Sequence, residues 1–220
     1  MPLCRYPNRA QQAEALATRV AARLNEVVAV QGVARLALSG GSSPRQFLQV
    51  LDTLPVAWRQ VRITLVDERQ VPHEHPRSNW RFLHACLPTA SQQAAWLPLY
   101  ATSLSNTCAA LQRDYLPLDV VVLGMGVDGH FASLFADAAE LGPALVADAP
   151  PLMAIHAPSV PEARLSLTLP VLAGAQQLHL LIQGQDKWQT LQAAQRSAAT
   201  LPIAHLLAAV GDALLIHYAD

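Results

Sequence analysis

Apolar side chains recur along this chain at two spacings, about 3.6 residues and 2, and the change from one to the other marks out its elements. Asn8 caps a first helix in which Ala13, Leu16, Ala17, Val20, Leu24, Val27 and Val28 fall on one face, and Gly32 ends it. Val33 to Leu38 then reads as a strand, followed by a Gly/Ser turn and a helix that carries Phe47, Leu48, Val50 and Leu51. A second strand covers Val61 to Val66. Ser78 caps a helix holding Trp80, Phe82, Leu83 and Leu87, and Trp96 to Leu99 forms a short strand. Leu104, Cys108, Leu111 and Tyr115 trace a helical stripe expected to face the core.

The most continuous apolar run, from Asp119 through Val120-Val121-Val122-Leu123, is the pattern of a strand buried on both faces of a parallel sheet. Further strands are expected at Leu152–Ala157, Leu165–Pro170, Leu178–Ile182 and Ala213–His217, with a helix from Trp188 through Leu191 and Ala194. His156, His179 and His217 lie inside these apolar runs and read as packing residues. Strands alternating with helices define an α/β fold, a doubly wound, mostly parallel sheet flanked by helices. At 220 residues the chain suits one such domain spanning positions 1–220, and it has no repeats, linkers or low-complexity tracts.

Composition narrows the function. A net charge of −1 leaves no electrostatic footprint for nucleic acid, and no apolar run approaches the ~20 residues a membrane span requires. Cys4, Cys86 and Cys108 are scattered and odd in number, which argues against a disulfide framework or a thiolate metal site. The first residues lack a charged-then-apolar leader pattern, so a cytoplasmic location is expected.

Three stretches carry candidate chemistry. In Ser39-Gly40-Gly41-Ser42-Ser43-Pro44, a strand runs into two glycines and a helix start, so the amides of Gly40, Gly41 and Ser42 can converge on an anion. The hydroxyls of Ser39, Ser42 and Ser43 add donors, and two adjacent glycines exceed what a simple cap needs. The Gly-Lys-Ser/Thr ending of a nucleotide loop is missing. Asp67-Glu68-Arg69 sits at the end of the second strand, on the sheet edge where ligands bind in such folds. In Gly124-Met125-Gly126-Val127-Asp128-Gly129-His130, an acid and an imidazole follow a buried strand. The glycines match G-x-G-x-x-G, but Phe131 to Asp148 contains no second strand of the kind a dinucleotide site needs. His73 and His75 alternate in a Pro-flanked loop; without a further ligand they are expected to face solvent.

These stretches, in this order, resemble the 6-phosphogluconolactonase family: the Ser39–Pro44 turn; Asp67-Glu68-Arg69 with Val71-Pro72 and Ser78-Asn79-Trp80; and Gly124 through His130 into Phe131-Ala132-Ser133-Leu134-Phe135. Arg164 with its Ser/Thr alternation and the Gly184–Lys187 turn extend the likeness over nearly the whole chain. Ser43, Val127 and Ala136 stand where the family more often has Thr, Pro and Pro, and the region after Lys187 is less typical.

The resemblance implies a fold shared with glucosamine-6-phosphate isomerase, no metal and no cofactor, and hydrolysis of 6-phospho-D-glucono-1,5-lactone in the oxidative pentose phosphate pathway. It implies His130 as general base, with Asp128 or Asp67 orienting the imidazole or holding sugar hydroxyls. The phosphate would be gripped by Gly40, Gly41, Ser42 and Ser43 with Arg164 and Lys187, and Arg69 nearby. The implied partner is a small sugar-phosphate lactone, and the chain is expected to be a monomer or weak homodimer. In the deaminase relatives the Asp-Gly-His motif runs on to a glutamate that orients the histidine; here Phe135 occupies that position. Sugar-phosphate sensors of transcription regulators share the fold but carry an added DNA-binding segment.

Overall fold

A computed structural model of the chain describes residues 1–100, 103–196 and 201–220. Seven strands form one sheet: β1 (Leu3–Arg5), β2 (Ala34–Leu38), β3 (Val61–Leu65), β5 (Ala95–Leu97), β6 (Val120–Leu123), β9 (Gln177–Gln183) and β10 (Leu214–Ala219). Their order is β1-β10-β9-β6-β2-β3-β5, and every neighbouring pair is parallel. All four residues of β6 are buried, as the unbroken Val-Val-Val-Leu run requires of a strand covered on both faces. Strands β4 (Asp67–Arg69), β7 (Leu152–Ile155) and β8 (Arg164–Leu167) form a second, antiparallel sheet in the order β4-β8-β7.

Val66 joins the two sheets. Its N–H donates to Leu38 O (3.0 Å), extending the ladder of the large sheet, while its carbonyl accepts the N–H of Leu167 (2.9 Å) from β8. The second strand therefore does not end in a loose charge cluster; it passes Asp67, Glu68 and Arg69 into the antiparallel sheet.

Helices α1 (Arg9–Gln31), α2 (Arg45–Thr53), α3 (Asn79–Cys86), α4 (Pro88–Gln93) and α5 (Leu104–Ala110) connect the first half of the chain. The second half adds α6 (Leu141–Leu145), α7 (Leu169–Ala173), α8 (Gln185–Arg196) and α9 (Pro202–Val210). Asn8 caps α1 through its side chain (Gln11 N to Oδ1, 2.9 Å), and Gly32 closes it in the left-handed region at φ 78°. Helix α1 packs against α2, β2, β6 and β10, burying the apolar stripe read from the sequence.

Several expectations need correction. The run Leu165–Pro170 is a strand only to Leu167; Leu169 and Pro170 open α7, because proline has no N–H for the ladder but fits a first helical turn. His156 is not packed in the core: β7 ends at Ile155, and the exposed imidazole bonds Glu140 (Nδ1 to Oε1, 2.8 Å). Leu104, the first residue of α5, is exposed, whereas Leu111 and Tyr115 of the same stripe are buried in the π-helical turn that follows. His73 is half-buried rather than solvent-facing, stacked on Trp80 with ring centres 5.0 Å apart and bonded to Tyr100 O (3.0 Å).

Candidate active site

The register of the large sheet puts its chemistry on one edge. Leu38 pairs with both Leu65 and Val122, and Leu123 with Leu180, so the turns that leave β2, β6 and β9 open side by side. A cleft of about 210 Å³ lies there, lined by the Ser39–Pro44 turn, Asp67, Arg69, Gly126, His130, Ala132 and Lys187 among others. The imidazole and the anion cradle therefore face one space.

The Ser39–Pro44 turn lines this cleft. Among the described residues, no backbone acceptor takes the amide N–H of Gly40, Gly41 or Ser42. Three donors are thus left without a backbone partner just before α2. Ser39 Oγ accepts Gly124 N–H (3.1 Å) and so ties this turn to the one after β6. Lys187, in the first turn of α8, reaches across and donates to Ser43 Oγ (3.2 Å). Burial lowers its pKa, and the Arg9 charge adds to the shift.

Asp128 Oδ1 lies 2.6 Å from His130 Nδ1 and 3.3 Å from the His130 N–H. The hydrogen bond from His130 lowers the Asp128 pKa, so the carboxylate is ionised near neutrality and Nδ1 must carry the shared proton. In the neutral imidazole this tautomer leaves the acceptor nitrogen at Nε2. Phe135, where the deaminase motif has glutamate, packs tilted on the imidazole with ring centres 4.4 Å apart. The pair rests on Gly126, where a Cβ would collide with Asp128 Oδ1 and the imidazole.

Asp67 lies elsewhere in the cleft wall. Its Oδ2 accepts the Ser133 hydroxyl (2.6 Å) and its Oδ1 the Asn79 amide (3.3 Å). Of the two acids left open by the sequence, Asp128 is the one that contacts the imidazole. Glu68 turns away from the cleft to the start of α3. There it accepts the amides of Asn79 (2.8 Å) and Trp80 (2.7 Å) and the Ser78 hydroxyl (3.0 Å). Burial pushes its pKa up while these amides pull it back.

Arg164 pairs in register with Arg69 across β8 and β4 and is 5% exposed; it lies behind the cleft lining rather than in it. Its Nε and Nη1 have no partner among the described residues, and its nearest carboxylate, Glu162 Oε2, is 3.9 Å from Nη2. Burial and the Arg69 charge lower its pKa. Arg69 thus lines the cleft and Arg164 stands behind it, each with guanidinium nitrogens that have no partner among the described residues, and Arg69 also donates to Arg77 O.

Sequence reasoning missed the supports. Ser133, Asn79 and Ser166 had no assigned role, although Asn79 and Ser133 fall inside the quoted motifs. The region after Lys187 proves to hold the imidazole loop: Thr190 Oγ1 donates to Val127 O (2.8 Å), and Ile203 N–H to Gly129 O (2.9 Å). Leu201 packs so closely on Gly129, itself at φ 78°, that a Cβ there would lie 3.1 Å from Leu201 Cβ. Only Leu201-Pro202 hinted at this contact.

A parallel sheet with an anion cradle and an acid–imidazole pair at its carboxyl edge describes a sugar-phosphate enzyme class, and the comparisons specify it. The family described as glucosamine-6-phosphate isomerases/6-phosphogluconolactonase matches residues 7–215, and the chain belongs to that family. Its relatives put it on the lactonase side. It is 43% identical over 210 residues to the 6-phosphogluconolactonase of Mesorhizobium japonicum, covering 92% of this chain and 88% of that one. It is 39% identical to the 6-phosphogluconolactonase of Rhizobium meliloti, covering 97% of each chain. The crystal structure of a 6-phosphogluconolactonase from Shewanella baltica superposes with a TM-score of 0.92 at 29% identity, covering 99% of this chain and 96% of that one.

Proposed function

We propose that this chain hydrolyses 6-phospho-D-glucono-1,5-lactone to 6-phospho-D-gluconate, the lactone-opening step of the oxidative pentose phosphate pathway, with His130 as general base. One observation carries the reading: His130, its Nδ1 held by Asp128, lines the same cleft as the amide cradle and Lys187.

The substrate phosphate sits on the Gly40, Gly41 and Ser42 amides with the Ser43 hydroxyl and Lys187. Arg69 supplies guanidinium donors from the lining and Arg164 adds its charge from behind it, a set suited to a dianion. Anchoring the phosphate holds the lactone carbonyl carbon within reach of a water beside Nε2. Nε2 takes one proton as the water oxygen bonds to the carbonyl carbon. The tetrahedral intermediate then collapses, the bond from that carbon to the ring oxygen breaks, and the proton on Nε2 passes to the ring oxygen as it becomes a hydroxyl. Asp67, whose carboxylate lines the cleft, receives a sugar hydroxyl. Phe135 in place of glutamate favours this chemistry over deamination. The chain acts in the cytoplasm as a monomer or weak homodimer, with a small sugar phosphate and no nucleic acid as partner.

The test is a coupled assay on freshly made 6-phosphogluconolactone, read against an enzyme-free control because the lactone also opens spontaneously. His130→Ala is expected to lose about 10²- to 10⁴-fold in turnover while still binding 6-phosphogluconate. Near-wild-type turnover by that variant removes His130 from the role. Ammonia release from glucosamine 6-phosphate, or binding without turnover, overturns the lactonase reading itself.

A further inference from the structure

The chain of hydrogen bonds behind Asp67 runs in one direction. Ser166 Oγ donates to Leu167 O (3.0 Å), which leaves its oxygen to accept the N–H of Ser133 (3.1 Å). Ser133 is 1% exposed, and its hydroxyl points at Asp67 Oδ2 at 2.6 Å, the short distance of a hydroxyl donating to an ionised carboxylate. On the other side the Asn79 amide nitrogen donates to both Asp67 O (3.0 Å) and Asp67 Oδ1 (3.3 Å). A flipped amide would put its oxygen against two acceptors, so the donor orientation is fixed. Each Asp67 oxygen thus has one protein donor. A carboxylate offers about four acceptor positions, so acceptor capacity remains on a group that is itself only 9% exposed and borders the cleft.

The two donors come from the two neighbouring parts of the site. Asn79 opens α3 and packs against Gly40 of the cradle so closely that a Cβ on Gly40 would overlap it. Ser133 lies three residues beyond His130, on the loop that carries the imidazole. Asp67 is therefore tied to both ends of the cleft by two short, buried polar side chains.

We propose that Ser133 and Asn79 are positioning residues for this reaction, which hold the Asp67 carboxylate as an acceptor at a fixed place between the phosphate cradle and the imidazole. They touch no substrate and act through Asp67. The inference rests on the lactonase reading, and its test separates the two. Wild-type enzyme must first open 6-phosphogluconolactone above the enzyme-free rate; an inert wild type overturns the lactonase reading and this one with it.

Given an active wild type, a double-mutant cycle over Ser133→Ala and Asp67→Asn decides the matter. Ser133→Ala is expected to lower kcat/KM about 10- to 100-fold, the scale of one hydrogen bond to a charged group. The same change made in the Asp67→Asn enzyme is expected to cost less than about twofold, because the group it positions has lost its charge. A merely structural role for Ser133 gives equal losses in both backgrounds, and that result overturns the proposal. Ser133→Cys fills the same space with a weak donor and is the second variant should the alanine enzyme fail to fold. It is expected to follow alanine in kinetics and serine in thermal stability. Wild-type kinetics from the cysteine enzyme also overturn the proposal.

Discussion

Replacing Gly126 by alanine tests the acid–imidazole pair without touching either member. A Cβ at this position would lie less than 3.0 Å from Asp128 Oδ1 and from His130 Nδ1 and Cε1, whereas ordinary contact begins at 3.4 Å. The atoms in the way belong to two partly exposed side chains and not to backbone, so they can swing aside. Gly126 does not have a positive φ, so alanine adds no left-handed strain there. The displacement needed is roughly 1 Å, and a misplacement of that size at a reacting group costs on the order of 10²-fold in rate. Moving half-solvated side chains costs little stability, about 1 kcal/mol or less, which for a chain of this size shifts Tm by no more than about 4 °C. Gly126→Ala should therefore lose about 10²-fold in kcat in the coupled lactone assay, unfold within that window, and bind 6-phosphogluconate as before. Full turnover with an unchanged fold would show that the pair is not held where catalysis needs it. A loss of rate matched by a large loss of Tm would refute the argument that only the side chains yield.

Asp128→Asn keeps the shape of the pair but removes the charge that keeps the Nδ1 proton in place. It should cut kcat/KM about 10- to 100-fold, measured in the same assay. A third prediction concerns the buried pair His179 and His217, linked Nδ1 to Nε2 at 3.2 Å, with Tyr6 bonded to the far nitrogen of His217 (2.9 Å). Burial lowers His179 to about 4 and His217 to about 3, with His179's own charge adding to the second. Both pKa values lie below the unfolded value near ~6.5, so the unfolded chain takes up more protons, and stability present above about pH 6.5 is lost as pH falls toward 4 and 3. His179→Leu should flatten the fall of Tm between pH 6.5 and 4; an unchanged slope rules the pair out as its source.

The sequence was most legible where the physics is local. Asn8 and Gly32 announce the ends of α1 because a cap and a left-handed stop are decided within one turn, and Val120–Leu123 announces a buried strand by its lack of polar positions. The Gly/Ser turn between β2 and α2 was readable for the same reason: it is made by consecutive residues. What escaped notice depends on residues far apart in the chain. Asp67 could not be told from Asp128 in role, because Ser133 stands 66 positions away and only the folded chain brings its hydroxyl to Asp67. The antiparallel sheet was missed because β4 is only three residues long and charged, too short and too polar to show a strand alternation until β8 pairs with it. His156 misled for the opposite reason: the apolar run around it continued the pattern to Ala157, two residues past the end of the strand. The support given by α8 and α9 to the Val127–Gly129 loop has no periodic signature at all.

The order of the large sheet also bears on how the protein is made. Strand β1 lies at the edge with β10 as its sheet neighbour, and β10 stands between β1 and β9. Tyr6 bonds a histidine 211 positions downstream. At about 5–20 residues per second, a ribosome needs roughly 10–40 s to deliver that partner after Tyr6 is made. Strand β10 follows both of its neighbours in the chain, so the sheet can close on this side only when β10 takes its place between β1 and β9.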